Sequence, residues 1–187
     1  MTFAEIGLHP AILKALADAG YQQPTDVQQQ AIPAALDGRD LLVCSQTGSG
    51  KTAAFMLPAL HRFADQERPP LTRPAAGNDR RAAATRGRRR FEPARPKMLV
   101  LTPTRELALQ VTAASDKYGR HLYRLRAVAI LGGMPYPKQM ELLSRDPEIL
   151  VATPGRLIDH MSAGKIDFSQ LQMLVLDEAD RMLDMGF

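Results

Sequence analysis

Ser45-Gln46-Thr47-Gly48-Ser49-Gly50-Lys51-Thr52 follows the apolar run Leu41-Leu42-Val43-Cys44 and leads into a helical pattern. Strand, glycine-rich turn and helix in that order build a cradle for nucleotide phosphate, a P-loop. Gly48 and Gly50 let the backbone turn tightly and present its N–H groups to phosphate oxygens, and the helix that follows aims the positive end of its dipole at the same charge. Lys51 is placed to reach the β- and γ-phosphates, and Thr52 to hold Mg²⁺. A glycine turn that merely connects two elements is the plain alternative, and the Gly-Lys-Thr ending argues against it. Ser45 stands where the general G-x-x-x-x-G-K-[ST] pattern has its first glycine.

Outward from this loop, short apolar runs recur at 41–44, 98–101, 127–131, 149–152 and 173–176. Each suits a parallel strand buried on both faces. Between the second and third, Leu107, Ala108, Val111, Ala114 and Tyr118 share one helical stripe, and similar helices are expected near 10–19, 26–36, 52–63, 135–145 and 155–163. Strands alternating with helices imply an α/β fold, a doubly wound and mainly parallel sheet with helices on both faces, whose ligands gather at the carboxyl ends of the strands. Length and an apolar content of 45% fit one domain, and no internal repeat is visible.

The net charge of +4 is unevenly placed: residues 66–97 hold ten Lys/Arg against Glu67, Asp79 and Glu92, a balance of +7 that leaves the rest at −3. This Arg-, Pro- and Ala-rich stretch lacks apolar periodicity and reads as a flexible basic loop, either simply solvated or in auxiliary contact with nucleic-acid phosphates. The longest uncharged stretch, 127–137, is far below the roughly 18 residues of a membrane span. No secretory signal is visible at the start. Cys44 reads as a small buried core residue in a reducing cytoplasm. His9, His61, His121 and His160 show no metal-ligand spacing and read as structural, and the dispersed methionines read as core filling.

Asp177-Glu178-Ala179-Asp180 emerges from the end of the last apolar run, a Walker B arrangement in which Asp177 holds Mg²⁺ through water and Glu178 activates the water that attacks the γ-phosphate. An acidic helix start favoured by the dipole is the plain alternative, and the P-loop upstream argues against it.

Asp-Glu-Ala-Asp is the signature of the DEAD-box RNA helicases, and the chain resembles the first RecA-like domain of that family. Phe3, followed seventeen residues later by Gly20-Tyr21-Gln22-Gln23-Pro24-Thr25-Asp26-Val27-Gln28, resembles its Q motif, with Asp26 where Pro is usual. The family's P-loop accepts Ser at the place of Ser45. Pro103-Thr104-Arg105-Glu106-Leu107-Ala108 is similar to motif Ia, Gly132-Gly133 to the glycine doublet, and Thr153-Pro154-Gly155-Arg156 to motif Ib. The resemblance covers the chain apart from the basic loop, with 1–29 as the Q-motif region.

What the resemblance implies is an ATP-dependent RNA helicase with ATP and Mg²⁺ as cofactors and RNA as partner. Phe3, Tyr21, Gln28, Ser45, Gln46, Thr47, Gly48, Ser49, Gly50, Lys51 and Thr52 would bind ATP. Gln28 would pair with the adenine N6 and N7 edge, and Phe3 would stack on the base. Lys51, Asp177 and Glu178 would be catalytic, Thr52 and Asp177 would hold Mg²⁺, and Asp180 would couple domains. Pro103, Thr104, Arg105, Gly132, Gly133, Thr153, Pro154, Gly155 and Arg156 would track an RNA backbone without reading bases. A second RecA-like domain is expected in the same chain, with no membrane involvement. The sequence stops just inside the helix after the acidic motif, so a strand expected between the P-loop strand and the Asp177 strand is absent and a gap there is foreseen. The rivals are a DNA-directed superfamily 2 ATPase, a non-enzymatic RNA-binding module and, more remotely, a transporter ATPase or GTPase.

Overall fold

The computed structural model describes residues 1–66 and 91–187. Their elements run α1 (Phe3–Ile6), α2 (Pro10–Asp18), α3 (Asp26–Leu36), α4 (Lys51–Ala64), β1 (Met98–Leu101), α5 (Arg105–Tyr118), β2 (Ala127–Ile130), α6 (Tyr136–Leu143), β3 (Ile149–Ala152), α7 (Pro154–Ser162), β4 (Met173–Leu176) and α8 (Ala179–Asp184). The four strands form one sheet in the order β2-β3-β1-β4, and every neighbouring pair is parallel. Val100 lies level with Val151 on one side and Val175 on the other.

Alternation along the strands divides the core. Met98, Val100, Ile149 and Val151 face the first layer, against Ile12, Met56, Leu60 and Val111 of α2, α4 and α5. Leu99, Leu150, Ala152 and Ile130 face the second, against Leu143 of α6 and Leu157 of α7. Helices therefore cover both faces, as the sequence implies, and β1 to β3 are apolar throughout because each side of the sheet meets a helix. Caps set the helix starts: Thr25 accepts from the N–H of Gln28, and Thr104 accepts from the N–H of Leu107. The short α1 is held by a Thr2/Glu5 capping box that the apolar pattern does not announce.

Three expectations need correction. Residues 41–44 form no strand: Leu42 is 93% exposed and Cys44 is exposed, not buried. An apolar run becomes a strand only where a neighbour receives its N–H and C=O groups, and among the described residues β4, at the end of the sheet, is bonded to β1 alone. For the same reason β4 is not buried on both faces. Met173 and Val175 pack on the first core while Leu174 and Leu176 are half exposed. The basic loop is the third. Residues 67–90 lie outside the described residues, but 91–97 are anchored: Ala94 is buried and exchanges backbone hydrogen bonds with Lys165 and Asp167, and Arg95 pairs with Asp167 at 3.2 Å. No helix among the described residues is long and apolar enough to cross a membrane.

Candidate functional site

α4 begins at Gly50, whose φ of +91° only glycine adopts without strain, and no side chain caps its first turn. Gly48 is also left-handed, at +79°. The first amides of α4 are thus left for an external anion, the arrangement suited to a phosphate. Ser45 Oγ lies 2.6 Å from Ser49 Oγ across the loop, and the Lys51 ammonium turns back to the carbonyls of Ser45 and Gln46, the latter at 3.1 Å.

The Q-motif segment docks on this loop through α3. Thr25 Oγ1 donates to the Ser49 carbonyl at 2.8 Å, and Gln28 Nε2 donates to the Gly50 carbonyl at 3.2 Å. Gln28 Oε1 accepts from the backbone N–H of Thr25 at 3.0 Å, so both ends of its amide are engaged and the side chain is buried. A Cβ on Gly50 would overlap that amide. Phe3 is 4% exposed and lies in the first core, its ring enclosed by protein rather than offered to a base. Tyr21 packs on Tyr118 at 5.9 Å between centroids, and its hydroxyl accepts from Lys117 Nζ at 2.9 Å.

At the carboxyl end of β4, the Asp177 N–H donates to the Leu101 carbonyl. Burial first, and then the neighbouring Glu178, push the Asp177 carboxyl above its ordinary pKa, while the Lys51 charge pulls the other way. That opposition brings the two motifs into one electrostatic site. Glu178 caps α8 in a left-handed conformation, φ +53°, and lies 3.4 Å from Arg181. For a non-glycine residue this conformation costs about 1–2 kcal/mol. A half-buried acidic pair within reach of the Lys51 charge fits a divalent cation with a polyphosphate, since the cation would relieve the repulsion that raises Asp177. Asp180 is exposed in the first turn of α8.

The other motifs line the same edge of the sheet. Arg105 begins α5, just beyond β1, and a Cβ on Gly133 would lie only 2.8 Å from an Arg105 guanidinium nitrogen, so Arg105 and the glycine doublet after β2 are brought together. Gly132 and Gly155 each have open space where a side chain would project. Thr153 precedes α7 without capping it through its side chain, and Arg156 faces Asp159 at 3.6 Å. Pro103 and Pro154 flank these helix starts, and Thr104 spends its hydroxyl on the α5 cap. The Thr25 bridge to Ser49 is a contact that residue types alone do not reveal, although the Thr-x-x-Gln spacing of a capping box is present at 25–28.

A glycine-cornered loop opening a helix, opposed by two carboxylates at the end of a parallel strand, defines a P-loop nucleotide-binding domain. Residues 25–187 match the DEAD/DEAH box helicase family model, and the chain belongs to that family. It is 45% identical over its whole length to "ATP-dependent RNA helicase DeaD" of Klebsiella pneumoniae, covering 25% of that protein, and 41% identical to the Mycobacterium tuberculosis protein of the same name, covering 28%. The chain thus spans about a quarter of the length of the curated relatives it matches. Among solved structures it resembles the RNA helicase Prp28 of Chaetomium thermophilum bound to ADP, with a TM-score of 0.79 and 37% identity over 98% of this chain and 40% of that one. A hypothetical ATP-dependent RNA helicase from Sulfolobus tokodaii gives 0.75 and 35% over 96% of this chain and 44% of the other. The fold is RecA-like.

Proposed function

We propose that this chain is the ATP-binding half of an ATP-dependent RNA helicase, which binds ATP with Mg²⁺ between this domain and a second RecA-like domain and uses its hydrolysis to separate RNA duplexes. The observation that carries the reading is the joint of Gln28 and Thr25 to the P-loop, opposite the Asp177–Glu178 pair. When bound, ATP and its cation supply the γ-phosphoryl group and the charge that water attack exploits. Lys51 would exchange its loop carbonyls for phosphate oxygens, and Thr52 and Asp177 would hold the cation. Glu178 accepts the proton of the attacking water. Gln28 reads adenine by giving up its contacts with Gly50 and Thr25, so base recognition and the P-loop conformation change together, with Tyr21 on the base side and Phe3 kept in the core away from the base.

Arg105, Thr104, the Gly132-Gly133 turn and Thr153 to Arg156 follow an RNA backbone, and Asp180 couples to the second domain. Contacts of that kind tolerate sequence and weaken with salt. A cytoplasmic location suits an enzyme fed by the cytoplasmic ATP pool. In the full-length protein, ATP hydrolysis should rise on adding RNA and fall to background in Lys51→Ala. Equal stimulation by single-stranded DNA would favour a DNA-directed enzyme, and RNA binding indifferent to nucleotide, without turnover, would leave a binding module.

A further inference from the structure

The Gly132-Gly133 doublet lies in a tight turn: the Met134 N–H donates to the Leu131 carbonyl at 3.3 Å, and Gly133 has φ +78° at the third position, where a type II turn needs a positive value. Gln139, fully buried in α6, reaches this turn from inside. Its Nε2 donates to the Met134 carbonyl at 2.7 Å and the Leu131 carbonyl at 3.4 Å, so one amide grips both ends of the turn. With two carbonyls on the nitrogen side, the amide orientation is settled, and Oε1 points to His160 Nε2 at 2.9 Å. His160 therefore carries its proton on Nε2. Nδ1 is left bare, buried and without a partner among the described residues, and the ring stacks on Tyr136 at 5.2 Å. Burial first, then Arg156, push the imidazole below its ordinary pKa; Lys165 adds to this and Asp159 opposes it.

This polar pair lies beside an apolar layer of Leu143, Leu157, Ile130 and Ala152. A hydrocarbon pair would fill such a space without the orphaned nitrogen, but it would leave two turn carbonyls without their donor. We infer that Gln139 is a positioning residue for RNA: its amide fixes the turn on which Arg105 rests and, through His160, ties that turn to α7, which carries Pro154, Gly155 and Arg156. The inference rests on the RNA reading of those motifs. Turn and helix belong to segments that are separate in sequence and meet the same backbone, so their spacing must be set before RNA arrives.

The test uses the full-length protein with a homopolymeric single-stranded RNA. Gln139→Leu should raise the RNA concentration for half-maximal ATPase stimulation about tenfold, as expected for losing buried hydrogen bonds that preorganise a site. The turnover number at saturating RNA and the KM for ATP should stay as in the unmodified protein. His160→Phe, which keeps the stack and the turn bonds, should give a smaller shift in the same direction, and it serves if Gln139→Leu does not fold. Ile12→Val on α2 supplies a destabilised control and should leave RNA dependence unchanged. A matching RNA shift in that control, or joint changes in ATP and RNA parameters for Gln139→Leu, would mean general destabilisation and overturn the inference. Weakened RNA response in Arg105→Ala and Arg156→Ala with none in Gln139→Leu would overturn it alone. No response in the arginine variants would remove the RNA reading and this inference together.

Discussion

Gln28 shows how much one side chain is asked to do. Its amide closes a capping box with Thr25 and holds the Gly50 carbonyl, so Gln28→Ala should loosen the P-loop as well as the adenine contact. Isothermal titration should then show weaker ATP binding and a smaller preference over GTP, with adenine discrimination resting on buried polar groups left unpaired by the wrong base. Gly50→Ala attacks the joint from the other side: the left-handed backbone and the overlap with Gln28 should cost about 1–3 kcal/mol in a denaturant titration and abolish nucleotide binding. Glu178 carries a different constraint. Glu178→Gln keeps the shape and the strained φ but removes the base, so ATP and RNA should stay bound while turnover disappears in single-turnover kinetics. Normal hydrolysis would refute the assignment. The motifs that hold these positions were legible because they are short and contiguous. That Gln28 also holds the P-loop was not, since its Gly50 partner lies 22 residues away, whereas its bond to Thr25 follows from the capping-box spacing.

At the scale of elements, the glycine doublet and α7 give two expectations. Gly133→Ala would force a Cβ into the left-handed region and against the Arg105 guanidinium at 2.8 Å. Filter binding should report weaker RNA affinity with a smaller salt slope, as one phosphate-directed cation is displaced, and unchanged ATP affinity. His160 sets a pH dependence. Its pKa is depressed in the fold, so below the ordinary His value of about 6.5 the unfolded chain binds more protons than the native one. The stability present above that value is therefore lost as pH falls through it. His160→Phe should flatten urea-unfolding free energies between about pH 7 and pH 5, by at most about 1.4 kcal/mol per pH unit. An unchanged profile would show that the imidazole does not titrate differently in the two states. The helices themselves were readable from apolar stripes and caps. Strand placement was readable only where the sheet supplied neighbours, which is why 98–101, 127–130 and 149–152 form as expected and 41–44 does not.

At the scale of residues 1–187 as a whole, an exposed apolar surface lies along one edge of the sheet. Among the described residues β4 is bonded to β1 only, and the segment at 41–44, with Leu42 almost fully in solvent, pairs with nothing; Leu174 and Leu176 are half exposed. An apolar strand edge of this kind recruits other chains. Residues 1–187 expressed by themselves should accordingly unfold over a broad range in calorimetry and self-associate at micromolar concentration by light scattering, and Leu174→Lys should reduce the association. A monomer with a sharp transition would count against this view of the edge. By itself the sequence determined the α/β class, the glycine-rich loop that opens α4, the acidic pair at the end of β4, and the family, because each is written in local periodicity or in a short run of residue types. The tertiary structure alone decided that the run before the P-loop has no ladder, that β4 is covered on one face, that Phe3 is core, and that Gln139 and His160 join the glycine turn to α7. Burial and hydrogen-bond pairing are properties of neighbours, and neighbours distant in sequence are assigned only when the chain folds.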